Sequence, residues 1–437
     1  MTTGASAAKA ERLDSRTRRR VTTHLMPFLF ALYVIAYIDR INISFAGLQM
    51  TGDLGFTDAV FGFGSGIFFF GYTLLAIPGA MLVEGCSARK TMAATMALWG
   101  LVASATGFIR TAHEFYAMRL LLGVAEAAFF PGMITYLSHW YRSEDRAKAV
   151  AMFMTAIPVS RVIASPISAA LLNVRWLGLG GWRWLLILEG APAIVFGIAS
   201  LFYLTDRPED ARWLSQDERD WLCGELKREA VGRQHGERNP LLAAIRRWDV
   251  WLLCLAYFGG TTGEYGLSLW LPKILQRMGS LTAAKTALLT AIPSLAAIPI
   301  MLLWGWSSDR LGERRWHAAI PRMIAGISLG AIAYQSLGVP AALGAFSLAT
   351  AGIASGYGPL WAMPGAFLGS SAAAAGIGLI NAFGNLGGFA GPSVIGWFSS
   401  TSGYAGGLWA VAGALIASGA FALLVRKRGI APVHRTH

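Results

Sequence analysis

The stretch LMPFLFALYVIAYIDRINISFAG (residues 25–47) decides the fold. About 20 mostly apolar residues, rising about 1.5 Å each, are enough to cross a hydrocarbon core about 30 Å thick. The stretch also carries Asp39 and Arg40 side by side near its end. An ionised side chain at the centre of a spanning helix costs about 2.5 to 3.5 kcal/mol on insertion scales, so those that persist face a polar pathway and have a task. The pair therefore points to a solute route through a membrane.

Composition outside this stretch agrees. Hydrophobic residues make up 55% of the 437-residue chain and charged residues 14%, and mean hydropathy is +0.50. About a quarter of an ordinary soluble domain is charged. The net charge of +13 and pI near 10.0 raise nucleic acid as a partner. The basic residues, however, fall in short runs between apolar stretches and form no single patch, so nucleic acid is not expected and the runs read as topology signals. About twelve stretches are long enough to span. They lie near 25–47, 59–83, 92–109, 113–138, 148–172, 182–204, 248–271, 285–307, 317–337, 341–367, 373–399 and 404–425. Runs this long exclude a β-barrel, and the 51 glycines suit close helix packing in lipid.

Arginine and lysine orient the chain. Arg12, Arg16, Arg18, Arg19 and Arg20 precede the first span. Arg89 and Lys90 follow the second, Arg142, Arg146 and Lys148 the fourth, Arg310, Arg314 and Arg315 the eighth, and Arg426, Lys427 and Arg428 the twelfth. The other side holds only Arg110, Arg175, Lys273, Arg277 and Lys285. The positive-inside rule then places both termini in the cytoplasm, and the membrane is expected to be a bacterial-type inner membrane. The expected organisation is a tail at 1–23, a six-helix bundle at 24–204, a linker at 205–247, a second bundle at 248–426 and a tail at 427–437. The linker contains Trp213, Leu214, Trp221, Leu222 and Leu226 at helical spacing, which predicts an amphipathic helix against the membrane or its cytoplasmic face. Cys86, Cys223 and Cys254 offer neither a disulfide frame nor metal spacing, and no metal or cofactor is expected.

An internal repeat makes twelve spans into two halves. EGCSARK begins at Glu84 and DRLGERR at Asp309, 225 positions on, while Pro166 and Pro392 stand 226 apart. Repeated six-helix halves imply two bundles with a solute site near the midplane. The same offset carries Asp39 to Glu264, which is either a second charge in the pathway or a hydrogen-bonded acid near the external mouth. In the fourth span Arg119 and Glu126 are seven residues apart, on one helical face and about 10 Å along it. They mark a cavity wall with separate proton and anion sites, or else each is neutralised by a neighbouring helix. In the fifth span Arg161 lies between Pro158 and Pro166, which are expected to kink the helix.

These residues make the chain recognisable. It resembles the major facilitator superfamily and, within it, the anion:cation symporter family, which includes vesicular glutamate transporters, sialin, the bacterial D-galactonate transporter and tartrate and phthalate permeases. The resemblance covers nearly the whole chain and rests on YIDRINIS (37–44), RLLLGVAEAAFFPG (119–132), GWRWLLILEGAPA (181–193), YLTDRPEDARWLS (203–215), SSDRLGERRWH (307–317) and GIGLINAFGNLGGFAGP (376–392). It implies an all-α polytopic fold of twelve transmembrane helices in two six-helix bundles, working by alternating access. It further implies that Arg40 meets a substrate carboxylate, that Asp39 and Glu126 couple protons, and that Tyr37, Tyr72, Trp361 and Asn381 line the substrate cavity. Arg119 is implied to be linked to Glu126, and Glu84, Arg89, Asp309 and Arg310 to serve gating.

Two departures from the family pattern stand out. Arg161 occupies a position where relatives often have a small or amide residue, so it either serves a second anionic group or pairs with Glu264 or Glu126. Ser87 and Gly85 replace a usual Gly and a usual basic residue in the gating loop. The expected function is import of a small organic anion (a mono- or dicarboxylate such as a sugar acid, tartrate-like or aromatic acid) with protons, by a functional monomer in the lipid bilayer. The alternatives are an antiporter or exporter of organic solutes and a non-transporting sensor. No enzyme is expected, since HExxH, CxxC and a nucleophile elbow are all lacking.

Overall fold

A computed structural model describes residues 2–85, 87–232, 240–334, 337–366 and 370–426. Every regular element among them is helical. In chain order these are α1 (Thr2–Asp53), α2 (Asp58–Gly85), α3 (Ala88–Thr106), α4 (Ala112–Glu126), α5 (Phe129–Trp140), α6 (Ser143–Met154), α7 (Ala156–Leu171), α8 (Gly181–Tyr203), α9 (Gln216–Gly232), α10 (Pro240–Ile245), α11 (Trp248–Gly279), α12 (Ala283–Leu289), α13 (Ala291–Leu311), α14 (Arg315–Ala333), α15 (Val339–Ala362), α16 (Ser370–Ser402) and α17 (Tyr404–Leu424). Eight stretches of the described residues are helical, long and apolar enough to cross a membrane. α3, α11, α14 and α16, of 19, 32, 19 and 33 residues, also have spanning length. Their turns are richer in Gly, Ala, Ser, Thr or charge.

The chain divides into two compact units, residues 1–46 with 71–235, and 47–70 with 236–437. In the first unit α3 packs along α8. Gly100 makes this possible, because a Cβ there would lie 2.9 Å from the Gly190 carbonyl. The linker contains a helix, α9, in which Leu222 is buried; Trp213 and Leu214, expected to share its spacing, precede its first residue, and Leu214 is buried outside the helix. Trp213 stacks on Trp140 with centroids 5.3 Å apart, and the Arg142 guanidinium covers Trp221 at 5.3 Å. Arg16 and Arg20 of α1 donate to Glu218 of α9 at 2.8 and 3.0 Å, which ties the start of the chain to this helix.

Three predicted spans are broken, and each break has the same cause. Proline has no N–H and crowds the carbonyl four residues earlier, while the first turn of a helix tolerates it. α4 gives way to α5 at Ala127 and Ala128, before Pro131; α6 gives way to α7 at Thr155, before Pro158; α12 gives way to α13 at Thr290, before Pro293. The last two breaks share the sequence Thr-Ala-Ile-Pro. Thr155 has φ −65° and ψ −13°, and Thr290 has φ −68° and ψ −12°. Each threonine hydroxyl donates to the carbonyl three residues back at 2.6 Å. Pro166, also expected to kink its helix, lies inside α7 without a break.

In the second unit α11 packs against α16 and α17, and α14 against α15 and α17. α11 and α16 meet so closely that a Cβ on Gly391 would lie 2.2 Å from the Thr262 carbonyl. Small residues replace the hydrophobic drive that lipid cannot supply between helices.

Candidate functional site

The first unit concentrates buried charge around the middle of α1. Asp39 is fully buried, and Asn42, one turn on, donates to its Oδ1 at 2.9 Å. Arg40 points to α4, where its Nη2 donates to Glu126 Oε2 at 2.6 Å. The Glu126 side chain is 1% exposed and that of Arg40 12%, so this is a charge-assisted bond shielded from water. The break before Pro131 makes Glu126 the last residue of α4. The rings of Tyr37 and Tyr72 flank Arg40, their centroids 5.3 and 5.2 Å from its guanidinium carbon, a cation–π arrangement that holds the guanidinium without spending its hydrogen-bond donors. Arg119, buried two turns before Glu126, is near enough to interact electrostatically with both Asp39 and Glu126. Six predicted residues, Tyr37, Asp39, Arg40, Tyr72, Arg119 and Glu126, are thus one cluster.

Sequence reasoning missed a further acid of this unit. Glu189 of α8 is 5% exposed, accepts a hydrogen bond from Ser168 at 2.7 Å and senses the charge of Asp39. Its signal was available, as an acid inside the apolar run GWRWLLILEGAPA. Arg161 is half-buried in α7, where the Ser165 hydroxyl donates to its carbonyl at 2.9 Å.

In the second unit the predicted residues lie on three helices. Glu264 is buried in α11 and interacts electrostatically with Tyr357 of α15. Trp361 packs edge-on against Tyr257, centroids 4.7 Å apart, and Asn381 is half-buried in α16. A network not anticipated from sequence centres on Asp58, which accepts from Lys273 at 2.9 Å, from Arg277 at 2.9 and 3.0 Å, and from the Ser399 hydroxyl.

The predicted gating loops are built differently. The side chain of Glu84 lies outside the described residues. After it, Asp206 gathers the Ser87 hydroxyl at 2.6 Å and the Arg89 backbone N–H at 2.9 Å, while the Arg89 guanidinium reaches the Leu201 carbonyl at 3.2 Å. In the second loop Asp309 pairs with Arg314 at 2.6 Å, and Arg310 lies over Trp306. Glu313 caps α14 by accepting the backbone N–H groups of Arg315, Trp316 and His317. Burial pushes the Glu313 carboxyl up, but those N–H groups and the His317 ring outweigh it and hold it below the ordinary range.

The model of the Major Facilitator Superfamily matches residues 29–392. The chain belongs to that superfamily. It is a multi-pass membrane transporter, not an enzyme. A protein of Agrobacterium vitis named "Putative tartrate transporter" is 44% identical over 417 residues, 95% of this chain and 96% of that one. A "Quinolone resistance transporter" of Acinetobacter baumannii is 37% identical over 387 residues, 88% of this chain and 89% of that one. The fold matches the crystal structure of a bacterial homolog to the human lysosomal transporter Spinster, in an inward-facing and unoccupied conformation. That match has a TM-score of 0.78 and 17% identity, and covers 93% of this chain and 97% of that one. The relatives accord with the anion:cation symporter resemblance read from the motifs.

Proposed function

We propose that the transporter imports a small organic anion together with protons, across a bacterial inner membrane, as a monomer with both termini in the cytoplasm. The observation that carries this reading is the 2.6 Å bond between Arg40 and Glu126. An ionised Glu126 occupies the guanidinium that a substrate carboxylate needs. A proton on Glu126 removes that claim, and Arg40 then offers its fork to the carboxylate between Tyr37 and Tyr72. Asp39, with its own buried carboxyl beside the same arginines, is the second proton site. Proton and anion thereby favour each other's binding, which is the thermodynamic content of symport. Arg161, Trp361 and Asn381 are the further substrate contacts in this reading, Arg119 and Glu264 tune the charge network, and Glu84, Arg89, Asp309 and Arg310 gate the cycle. The similarity to a named tartrate transporter supports a hydroxy-dicarboxylate as substrate.

The test is uptake of labelled tartrate, malonate and phthalate into proteoliposomes under an imposed pH gradient. External acid is expected to drive accumulation of at least one, and Arg40→Ala to raise its KM. Accumulation that ignores the gradient, or an Arg40→Ala variant of unchanged KM, refutes the reading. The similarity to a quinolone resistance transporter favours a second reading, proton-driven export; efflux of a fluoroquinolone under the same gradient, with no carboxylate uptake, would establish it.

A further inference from the structure

A cavity of about 360 Å³ lies in the first unit, between residues 17–23 of α1, the junction of α5 with α6, and α9. Sites for small ligands occupy about 300 to 1,000 Å³. Most of its wall is apolar, with contributions from Val21, Trp140, Met152 and Leu222, and Arg18, Arg19, Arg142 and Lys148 stand around that wall. Asp145 is the one acid of the lining. It is taken by Arg18 and Arg142, and Arg142 also meets Asp14, Glu144 and Glu225 from outside the lining. Arg19 and Lys148 are exposed, and neither has an ion pair among the described residues. The buried Nε of Arg142 has no hydrogen-bond partner among them either. Two cations and one N–H donor are thus left for an anion. The place in the chain says which anion. Residues 17–23 lead directly into the apolar stretch 25–47, and residues 142–152 into the stretch near 148–172, so the cavity stands where two spans enter the bilayer. Basic pockets at this level beside spanning helices suit anionic lipid head groups. Inorganic phosphate shares the charge but has nothing to place against the apolar wall, whereas a phospholipid has both.

We propose that this cavity binds an anionic phospholipid, with the phosphate on Arg19, Lys148 and the Arg142 Nε and the first acyl carbons against Met152 and Trp140. The lipid then joins α1, α6 and α9 from the membrane side, where Arg16 and Arg20 already tie α1 to α9 through Glu218. None of its contacts belongs to the Arg40 cluster, so the site does not depend on which solute is carried.

The test is thermal unfolding of the purified full-length protein in neutral detergent, titrated with dioleoylphosphatidylglycerol, dioleoylphosphatidylcholine or inorganic phosphate. Phosphatidylglycerol is expected to raise Tm at concentrations where the other two do not. A basic residue near the bilayer surface contributes about fivefold to anionic-lipid affinity. Arg19→Gln and Lys148→Gln should therefore each raise the half-stabilising concentration about fivefold, and the double variant about thirtyfold. Both side chains are exposed, so the variants keep the fold. Ala149→Leu fills part of the cavity while every charge stays, and it should also raise the half-stabilising concentration, which diffuse attraction to a basic surface would not do. A double variant that phosphatidylglycerol stabilises as well as wild type overturns the site. So does a wild type that phosphatidylcholine stabilises equally, or that no lipid stabilises. Stabilisation by inorganic phosphate at the same concentrations makes the cavity a phosphate site and overturns the lipid.

Discussion

Glu126→Gln tests the central bond quantitatively. A hydrogen bond to a charged group contributes about 1.5 to 3 kcal/mol, and the 2.6 Å contact with Arg40 is sheltered enough to reach that range. Glutamine keeps the shape and one acceptor but not the charge, and neutral acceptors bind about half as strongly. The variant should therefore release Arg40 at a cost lower by about 0.8 to 1.5 kcal/mol, which corresponds to about four- to thirteenfold in substrate affinity. The assay is counterflow of the substrate in proteoliposomes at pH 5.5 and pH 8 as chosen conditions. Wild type should bind weakly at the alkaline pH and tighten with acid. The variant should already bind tightly in alkali, show a flat profile, and exchange substrate without accumulating it on a pH gradient. In an Arg40→Gln background the Glu126 substitution should have no further effect on affinity, because the two act through one bond. A Glu126→Gln protein with the pH profile of wild type, or one that still accumulates substrate, would refute the coupling argument.

Two further predictions concern ion pairs elsewhere in the chain. Asp58→Ala strands the Lys273 ammonium, whose side chain is 5% exposed. It should cost about 3 to 5 kcal/mol and lower the melting temperature, and Lys273→Met in that background should recover most of the loss; equal melting of Asp58→Ala and wild type would rule this out. At Glu218 burial pushes the carboxyl up, but hydrogen bonds from the Ser215 backbone and hydroxyl and the charges of Arg20 and Arg16 outweigh it, so it lies below its ordinary value of 4.5. A depressed carboxyl contributes stability above its unfolded value and loses it as pH falls through the folded one. Melting in detergent should fall as pH drops below about 4.5, and Glu218→Gln should flatten that dependence; an identical acid profile in the variant would remove Glu218 from the account.

Much of this was legible because charge inside an apolar run is an anomaly that sequence displays directly. Asp39, Arg40, Arg119 and Glu126 were found that way, and the structure brings them together with Tyr37 and Tyr72. Glu189 and the buried Arg322 of α14 send the same signal, in GWRWLLILEGAPA and in IPRMIAG, and reading every such anomaly would have caught both. The Asp58 network was not legible, because its partners stand 215, 219 and 341 residues away and only the fold makes them neighbours. Proline positions foretold that helices would be interrupted but not where: Pro158 acts three residues before itself, at Thr155, while Pro166 is absorbed by α7. The linker helix was legible from spacing only in part: Leu222 is buried in α9, whereas Trp213 and Leu214 lie before its first residue, Gln216.

The paired Thr-Ala-Ile-Pro segments have a mechanical meaning. Ordinarily a helix resists bending because flexure must stretch hydrogen bonds on its outer side. In α6–α7 and α12–α13 the proline has already deleted one such bond, the one to the carbonyl four residues earlier, while the threonine hydroxyl bonds a different carbonyl, that of Met152 in the first pair and of Ala287 in the second. Each helix pair is therefore two stiff rods joined at a swivel of low torsional cost. With one swivel in each unit, a transport cycle can flex these two helices locally while the glycine-locked pairs, α3 with α8 and α11 with α16, keep their registers.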